Sequence, residues 1–263
     1  MPIVAARTPS DCFDAAIEAA RIALVHQTPV ILLSDGYLAN GSEPWRLPEV
    51  DDLPEIEVKY ATEFNMVDKD GNDVFWPFLR GEDGNRPIAL PGTPDLMHRL
   101  GGIEKEDGSG NVSYDPDNHE YMVRLRNDRI ASIPVPDAEL EEGSDGDADL
   151  LVVGWGSTWG AITGAARRVR AAGGKVDHVQ LTHLNPLPAN LGDLLRSHRG
   201  VLVPELNLGQ LVRILRAEYL VDARPLSKVK GQPFTAGEIH IAIGEAMEEL
   251  SGSAGGSTNE EVA

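Results

Sequence analysis

The chain has 263 residues and a formal net charge of −19 at pH 7. This length allows one large or two modest domains with a real core. The negative charge repels phosphate backbones, so we expect no nucleic-acid partner. The one cysteine, Cys12, excludes an intramolecular disulfide, a cysteine-rich zinc site and a self-contained four-cysteine iron–sulfur cluster. Residues 1–10 do not read as a signal peptide and no apolar run is long enough to span a bilayer, so we expect a cytoplasmic protein without membrane contact.

Residues 1–48 are predicted to be the end of a larger domain. Thr8 or Ser10 can cap a helix that runs from Asp11 to about His26. Val30 to Leu33 is predicted as a buried strand that leads into a turn. One helix and one strand cannot close a core, so we expect an apolar face that needs further partners.

Three further segments are distinguished by composition. Residues 49–136 have weak periodicity and many turn signals, such as Lys69-Asp70-Gly71-Asn72, and are predicted to be an irregular connecting segment. Asp137 to Asp149 holds seven acidic residues and no basic one, so residues 137–148 are predicted to be a solvated acidic linker. Residues 251–263, rich in Ser, Gly and Glu, are predicted to be a disordered tail.

Residues 149–250 show a repeated alternation of strand and helix with short loops. This alternation predicts an α/β fold of three layers, with a mainly parallel sheet covered by helices on both faces. The predicted strands are Leu150 to Gly154, Val176 to Leu181, Gly200 to Pro204 and Leu226 to Lys230. The predicted helices are an amphipathic one with Ala161, Ala165, Val169 and Ala172 on one face, then Asn190 to His198, Leu208 to Tyr219, and a closing helix from Thr235, its cap, to Leu250.

The first strand–helix turn carries Gly154, Gly156 and Gly160 in the spacing GxGxxxG. A dinucleotide site would need a different spacing and an acidic residue after the next strand, so the pattern favours a structural turn, and a free-standing nucleotide-binding domain is the alternative. The histidines form no HExxH or HxH arrangement, so no metal site is predicted, and His178 is interpreted as a core or surface residue. Ser157 lies outside any GxSxG elbow, which excludes that nucleophile.

The densest polar cluster lies in the irregular segment and offers candidate site residues. An imidazole, an arginine and several acceptors within one loop could line a polar substrate site. The candidates are His98, Arg99, Asp115, Asp117 and His119. A structural alternative is that Asp115-Pro116 and Asp117-Asn118 cap a helix from about Glu120 to Ile130.

Three stretches in order resemble a known family. They are LLSDGYLANGSEPWRLP, RPIALPGTPDLMHRLGGIEKEDGSGNVSYDPDNHEYMVRLR and VPELNLGQLVRILRAEYLVDARPLSKVKGQPFTAGEI. Together they are similar to the carboxyl-terminal part of the alpha subunit of 2-oxoacid:ferredoxin oxidoreductases, particularly the 2-oxoglutarate enzymes. Relative to that family, the chain lacks the small-subunit-like domain and most of the pyrimidine-binding domain, including the carboxylate that activates the cofactor.

The resemblance implies a function and a set of partners. The enzyme would convert a 2-oxoacid and coenzyme A to an acyl-CoA, CO2 and reduced ferredoxin on thiamine diphosphate. Residues 1–48 would end the pyrimidine-binding domain, and residues 149–250 would resemble the carboxyl-terminal domain of transketolases. The beta subunit would hold the thiamine diphosphate, its Mg and an iron–sulfur cluster, so no cofactor is expected on this chain alone. Within a heterotetramer, the partners would be the beta subunit and a second alpha subunit, with ferredoxin reached through the complex.

The resemblance also bears on the polar loop. The loop from His98 to His119 would face the active centre and contact substrate or coenzyme A, without supplying a catalytic base. A structural module at a subunit interface remains the other alternative for this chain.

Overall fold

A computed structural model describes residues 1–254 of the chain. The strands are β1 (Ile3–Ala5), β2 (Ile31–Leu33), β3 (Met66–Val67), β4 (Asp73–Val74), β5 (Leu150–Trp155), β6 (Asp177–Leu181), β7 (His183–Asn185), β8 (Gly200–Glu205) and β9 (Ala223–Ser227). The helices are α1 (Asp11–Val25), α2 (Gly36–Asn40), α3 (Pro116–Ala131), α4 (Trp159–Ala171), α5 (Leu191–Arg196), α6 (Gln210–Tyr219) and α7 (Ala236–Ala254). The chain forms two compact units. Unit 1 holds residues 1–2, 18–31 and 46–134, and unit 2 holds residues 3–17, 32–45 and those from 135 onward.

Unit 2 is built on a parallel sheet with the strand order β6-β5-β8-β9. Alternate residues of β5 enter opposite layers because successive side chains of a strand point to opposite faces. Leu150 and Val152 pack with the apolar faces of α4 and α7, whereas Leu151 and Val153 pack with those of α5 and α6. The predicted three-layer α/β fold with a mainly parallel sheet is therefore confirmed.

Most predicted elements of unit 2 agree with the structure to within about two residues, but the last strand does not. It was expected at Leu226 to Lys230, whereas β9 begins at Ala223. Arg224 and Pro225, which do not suggest a strand by their residue types, occupy paired positions opposite β8.

The cap of α7 is present as predicted. Glu238 N donates to Thr235 Oγ1 (3.2 Å) and Thr235 N donates to Glu238 Oε2 (2.7 Å), which is a capping box. A hydrogen bond from Lys228 and those from Thr235 lower the pKa of Glu238 to about 2. The helix continues to Ala254, into the segment predicted as a tail, and residues 255–263 lie outside the described part of the chain.

A smaller sheet has the order β2-β1-β7, and two of its strands were not predicted. β1 pairs antiparallel with β7, with Val4 opposite His183. β2 was expected as a strand, and it is one, but its expected burial is wrong, because Ile31 is 38% and Leu32 39% exposed. Because consecutive strand residues point to opposite faces, both faces of β2 are partly open to solvent.

The acidic segment is part of unit 2 and pairs with β6, in contrast to the solvated linker that its composition suggested. Leu140 forms an antiparallel bridge with Val179 on β6, and Glu141 N donates to the carbonyl of His178 (2.8 Å). Asn190 exchanges two hydrogen bonds of 2.8 Å with the backbone of Ala138. These partners lie about 40 to 50 residues away in sequence, so composition could not reveal them.

Unit 1 contains the hairpin β3–β4, a long loop and α3. Asp115 caps α3 by accepting from Asp117 N (3.0 Å), and Pro116 occupies the first turn, so the helix begins four residues before the predicted Glu120. The loop packs on aromatic rings through Gly108 and Gly110, both at positive φ, where a Cβ would lie 2.8 Å from Trp76 and 2.5 Å from Phe78. Across the described residues, no helix combines the length and apolar character needed to cross a membrane.

Candidate functional site at the carboxyl ends of β5 and β8

The order of the parallel sheet marks one crevice as the place for a ligand. The chain passes from β5 to its neighbour β6 and then crosses back to β8 on the other side of β5. The connection that follows β5 leads to β6 on one side, and the connection that follows β8 leads to β9 on the other side. Their helices, α4 and α6, lie on opposite faces of the sheet and begin beside the carboxyl ends of β5 and β8. In open α/β sheets, ligands bind at such a switch point.

The turn after β5 is shaped by glycine and two hydroxyl groups. Gly154 lies where a Cβ would approach Gln180 Oε1 to 2.3 Å, so only glycine fits. Gly156 adopts φ 59°, a left-handed conformation that favours glycine. Thr158 Oγ1 accepts from Trp155 N (3.2 Å) and donates to Trp155 O (2.7 Å), which closes the turn. Gly154 and Gly156 thus have structural reasons, in agreement with the structural interpretation of the pattern, whereas a Cβ at Gly160 would meet nothing within 4 Å.

The turn after β8 is organised by a fully buried carboxylate. Glu205 is 0% exposed and accepts from Trp155 Nε1 (3.2 Å), Leu211 N (2.9 Å) and Val212 N (3.1 Å). Asn207 adds a second cap, since its Oδ1 accepts from Gly209 N (2.7 Å) and Gln210 N (2.9 Å). The amino-terminal N–H groups of α6 are therefore already occupied by acceptors from the chain itself.

A segment distant in sequence completes the crevice. Asp35 Oδ1 accepts from Tyr37 N and Leu38 N (3.0 Å each) and so caps α2, while Ser157 Oγ donates to Asp35 Oδ2. The resulting cavity measures about 230 Å³ and includes Ala6, Leu33, Asp35, Trp155, Ser157, Asn207 and Gln210 in its lining. It is smaller than the roughly 300–1,000 Å³ of a typical ligand pocket.

The donor set of this cavity does not fit a diphosphate with its metal ion. Its lining contains the carboxylate of Asp35 and no Lys or Arg. The N–H groups of α6 that would receive a phosphate already bind Glu205 and Asn207. Within residues 1–254, no group of three His, Cys, Asp or Glu side chains is placed to hold a metal ion. The site suits a small neutral or cationic group, and neither a dinucleotide nor the diphosphate end of thiamine diphosphate fits it.

The five predicted site residues all belong to unit 1, and the structure separates them into different surroundings. His98 Nδ1 contacts the carbonyl of Leu96 (2.7 Å), and its ring meets Phe75 edge-on with centroids 5.0 Å apart. Arg99 is exposed. In the described residues, no hydrogen bond or ion pair joins either of them to Asp115, Asp117 or His119. His98 therefore has a packing role, and Arg99 is open to solvent.

The acidic end of the predicted cluster contains one cap and one ion pair. Asp115 is the cap of α3, as in the structural alternative, whereas Asp117 is exposed in the first turn. His119 Nδ1 donates to Glu104 Oε2, and Arg126 Nη1 lies 3.8 Å from Glu104 Oε1. The hydrogen bond from His119 lowers the pKa of Glu104. Glu104 was not predicted, because it lies 15 residues before its histidine partner and no motif joins them.

His178 is a core residue, one of the two placements that its strand pattern indicated. It is 1% exposed on β6, and neither ring nitrogen has a hydrogen-bond partner of normal geometry. Burial lowers its pKa to about 4, and the charges of Arg170 and Arg7 act in the same direction. At neutral pH the ring is therefore uncharged.

Comparison with known families agrees with the sequence resemblance. A profile of the family described as pyruvate flavodoxin/ferredoxin oxidoreductase, thiamine diphosphate-binding, matches residues 1–83. The 2-oxoglutarate oxidoreductase subunit KorA of Mycobacterium tuberculosis (strain ATCC 25618 / H37Rv) is 52% identical over 246 residues, which are 93% of this chain and 36% of that protein. The 2-oxoglutarate synthase subunit KorA of Methanothermobacter marburgensis is 24% identical over 88% of this chain and 58% of that protein.

One solved structure matches nearly the whole chain. It is the 2-oxoglutarate:ferredoxin oxidoreductase from Magnetococcus marinus with 2-oxoglutarate, coenzyme A and succinyl-CoA bound. The TM-score is 0.84 at 31% identity, over 94% of this chain and 42% of that one. The chain thus spans between about a third and three fifths of the length of the relatives named here. The chain is therefore similar, over nearly its whole length, to one part of the alpha subunits of 2-oxoacid:ferredoxin oxidoreductases.

Proposed function

We propose that this chain is part of the alpha subunit of a 2-oxoglutarate:ferredoxin oxidoreductase. The whole enzyme would convert 2-oxoglutarate and coenzyme A to succinyl-CoA and CO2 and pass the two electrons to ferredoxin. The 52% identity over 93% of the chain carries this proposal, and the fold match to an enzyme solved with 2-oxoglutarate and coenzyme A supports it.

The chemistry of the crevice supports a division of labour between subunits. A diphosphate and its metal need cations, free N–H groups or clustered carboxylates, and the crevice has its helix terminus filled by Glu205 and Asn207. The thiamine diphosphate, its Mg and an iron–sulfur cluster would then be held mainly by a beta subunit. A second alpha subunit and ferredoxin complete the proposed cytoplasmic assembly. Calorimetry with thiamine diphosphate tests this, because tight binding by the chain alone that is lost in Gln210→Ala, a change in the lining of the crevice, would contradict it.

The polar loop is the part of this chain that we assign to the substrate or to coenzyme A. Asp115 is committed to its cap and His98 to its ring contact, so the side chains left to meet a ligand are those of Arg99, Asp117 and His119. Both ligands are anions, so Arg99 would attract them and His119 would add a polar contact, while Asp117 would repel them. Glu104 fixes the orientation of the His119 ring through their hydrogen bond.

Substitutions in the complete enzyme complex separate this role from a structural one. His119→Ala and Arg99→Ala should lower kcat/KM for 2-oxoglutarate or coenzyme A without changing the melting temperature, because both side chains are exposed. Asp115→Ala is the matched control, and it should cost about 1 kcal/mol of stability through the lost cap while leaving kinetics intact. Unchanged kinetics in His119→Ala and Arg99→Ala would show that the loop has only a structural role.

A second function, as a structural module at a subunit interface, rests on the apolar side chains of the same loop. Met97 and Tyr114 are each 95% exposed, and Ile103 is fully exposed. Contiguous exposed apolar patches mark interaction surfaces, and this alternative assigns the three side chains to one such patch. Ile103→Ser combined with Met97→Ser should weaken assembly with the beta subunit in sedimentation velocity, whereas unaltered assembly would exclude this surface from the interface.

A further inference from the structure

Unit 1 contains a group of arginines that lack acidic partners. Arg21, Arg124 and Arg126 each form a salt bridge with a carboxylate. In the described part of the chain, the other five arginines of unit 1 form none, and three of them are near enough to influence one another's pKa, namely Arg80, Arg86 and Arg129. We call these three the arginine cluster. Their lack of partners is unexpected in a chain with 42 acidic and 23 basic residues, because carboxylates are abundant enough to neutralise every guanidinium group.

The arginine cluster is assembled by one turn and the ends of two helices. Arg80 Nη1 donates to Gly84 O (2.9 Å), and the stem of Arg129, on α3, lies on the other side of Gly84, 3.4 Å from the position that a Cβ would take. Arg129 Nη1 donates to the carbonyl of His26, just after α1 (3.3 Å). Arg86 lies with its guanidinium carbon 5.2 Å from the centre of the Phe78 ring.

The charges of the cluster repel one another. Burial lowers the pKa of Arg80, and the charge of Arg129 lowers it further, with Asp107 acting in the opposite direction. Burial also lowers the pKa of Arg129, with Arg86 as the next cause. Collecting like charges in a partly buried place is unfavourable unless an anion joins them.

Unsatisfied polar atoms concentrate at the same place. Among the described residues, ten buried side-chain nitrogen or oxygen atoms have no hydrogen-bond partner, and half of them belong to this part of unit 1. The five are His26 Nδ1, Gln27 Oε1, Arg80 Nε, Asn85 Oδ1 and Arg129 Nε. Arg80 Nε and Arg129 Nε are donors, and buried donors are normally hydrogen-bonded, so these two indicate a missing acceptor. Gln27 Oε1 and Asn85 Oδ1 are acceptors, and an anion would not satisfy them.

A cavity of about 740 Å³ opens beside the cluster, and Arg80, Arg86, Gln27 and Asn85 line it. This volume suits a small molecule of cofactor size. The lining also carries Arg21 and Lys59 and three carboxylates. Asp83 is occupied by its own turn, since it accepts from Asn85 N (2.9 Å) and Asn85 Nδ2 (3.0 Å). The other two carboxylates, of Glu55 and Glu57, belong to exposed residues of an extended segment.

We propose that the arginine cluster binds a phosphate group carried by a small molecule. Guanidinium groups bind phosphate through paired N–H donors. Arg80 and Arg86 line the cavity and would contact the phosphate, whereas Arg129 lies outside the lining and would add its positive charge. The proposal does not depend on the function assigned above, because it rests on the unpaired charges, the orphaned atoms and the cavity.

Pyrophosphate is the probe for a test on the full chain. Added at constant ionic strength, it should raise the melting temperature of unit 1 and bind measurably in calorimetry. Arg80→Gln and Arg86→Gln should each weaken its binding about tenfold or more, the range expected for one charged hydrogen-bonding partner. Arg124→Gln, which alters an exposed arginine paired with Glu120, is the matched control and should bind pyrophosphate as the parent does.

A second measurement keeps the test valid if a variant is less well folded. Without added anion, Arg86→Gln should melt no lower than the parent, because it removes one of several repelling charges, whereas an arginine with a purely structural function would lower the melting temperature. The proposal is overturned if pyrophosphate has no effect, if the variants respond as the parent does, or if succinate at equal ionic strength binds as well as pyrophosphate.

Discussion

Unit 2 should lose stability as the pH falls from 7 to 5, and His178 should account for a defined part of the loss. Its pKa is about 4 in the folded chain because the ring is buried, against about 6.5 in an unfolded chain. Below pH 6.5 the unfolded state therefore binds a proton that the folded state cannot accept, so stability is present above pH 6.5 and is lost as the pH falls toward 4. A difference of about 2.5 pKa units corresponds to about 3 kcal/mol in full, of which about 2 kcal/mol is lost between pH 7 and pH 5.

The assay is urea unfolding at pH 7 and pH 5, followed by tryptophan fluorescence, since Trp45, Trp155 and Trp159 lie in unit 2. His178→Leu keeps a similar volume in the core and removes two unsatisfied nitrogens. Between pH 7 and pH 5, the unfolding free energy of the parent should therefore fall by about 2 kcal/mol more than that of His178→Leu. His119→Gln changes an exposed histidine and serves as control. Equal pH dependence in His178→Leu and the parent would refute the reasoning.

Two further predictions concern the crevice. Gly154→Ala should destabilise unit 2 by about 1–3 kcal/mol, because the added methyl would lie 2.3 Å from Gln180 Oε1. Gly160→Ala, where a Cβ meets nothing within 4 Å, should be neutral or stabilising, and similar melting temperatures for the two variants would contradict this view of the turn. Glu205→Ala should cost about 3 kcal/mol or more in urea unfolding, because it leaves two buried N–H groups of α6 without an acceptor. Glu218→Ala, at an exposed position of the same helix, should change little, and an equally small cost for Glu205→Ala would show that water or another group replaces the carboxylate.

The parallel sheet could be predicted because its signals are local. β5 and β8 are continuous apolar runs followed by amphipathic helices, and Thr235 with Glu238 forms a recognisable cap. β1 and β7 escaped prediction because each has three residues, too few for a periodic pattern to appear. β9 was misplaced because Arg224 and Pro225, at paired positions of the strand, are not residue types that indicate a strand.

The contacts that build the crevice and the arginine cluster could not be predicted in the same way. Ser157 and Asp35 are 122 residues apart, and Arg129 meets His26 across 103 residues. Neither pair has a characteristic spacing, so only the fold brings them together. In the polar loop, a local contact could be predicted and a more distant one could not. The sequence indicated the cap at Asp115 but gave no sign of the hydrogen bond between Glu104 and His119.

The way the acidic segment lies along β6 has a consequence for how this chain can associate. The outer strands of a sheet offer unpaired N–H and C=O groups to which another chain could add a strand. On the β6 side, Leu140 and Glu141 already occupy that position opposite Val179 and His178, and their neighbours are negatively charged. On the β9 side, Pro225 has no N–H to offer. Extension of the parallel sheet from one copy to the next is thus disfavoured at both outer strands. Association through this sheet would have to use side-chain surfaces. Side chains can discriminate between partners, whereas backbone pairing cannot.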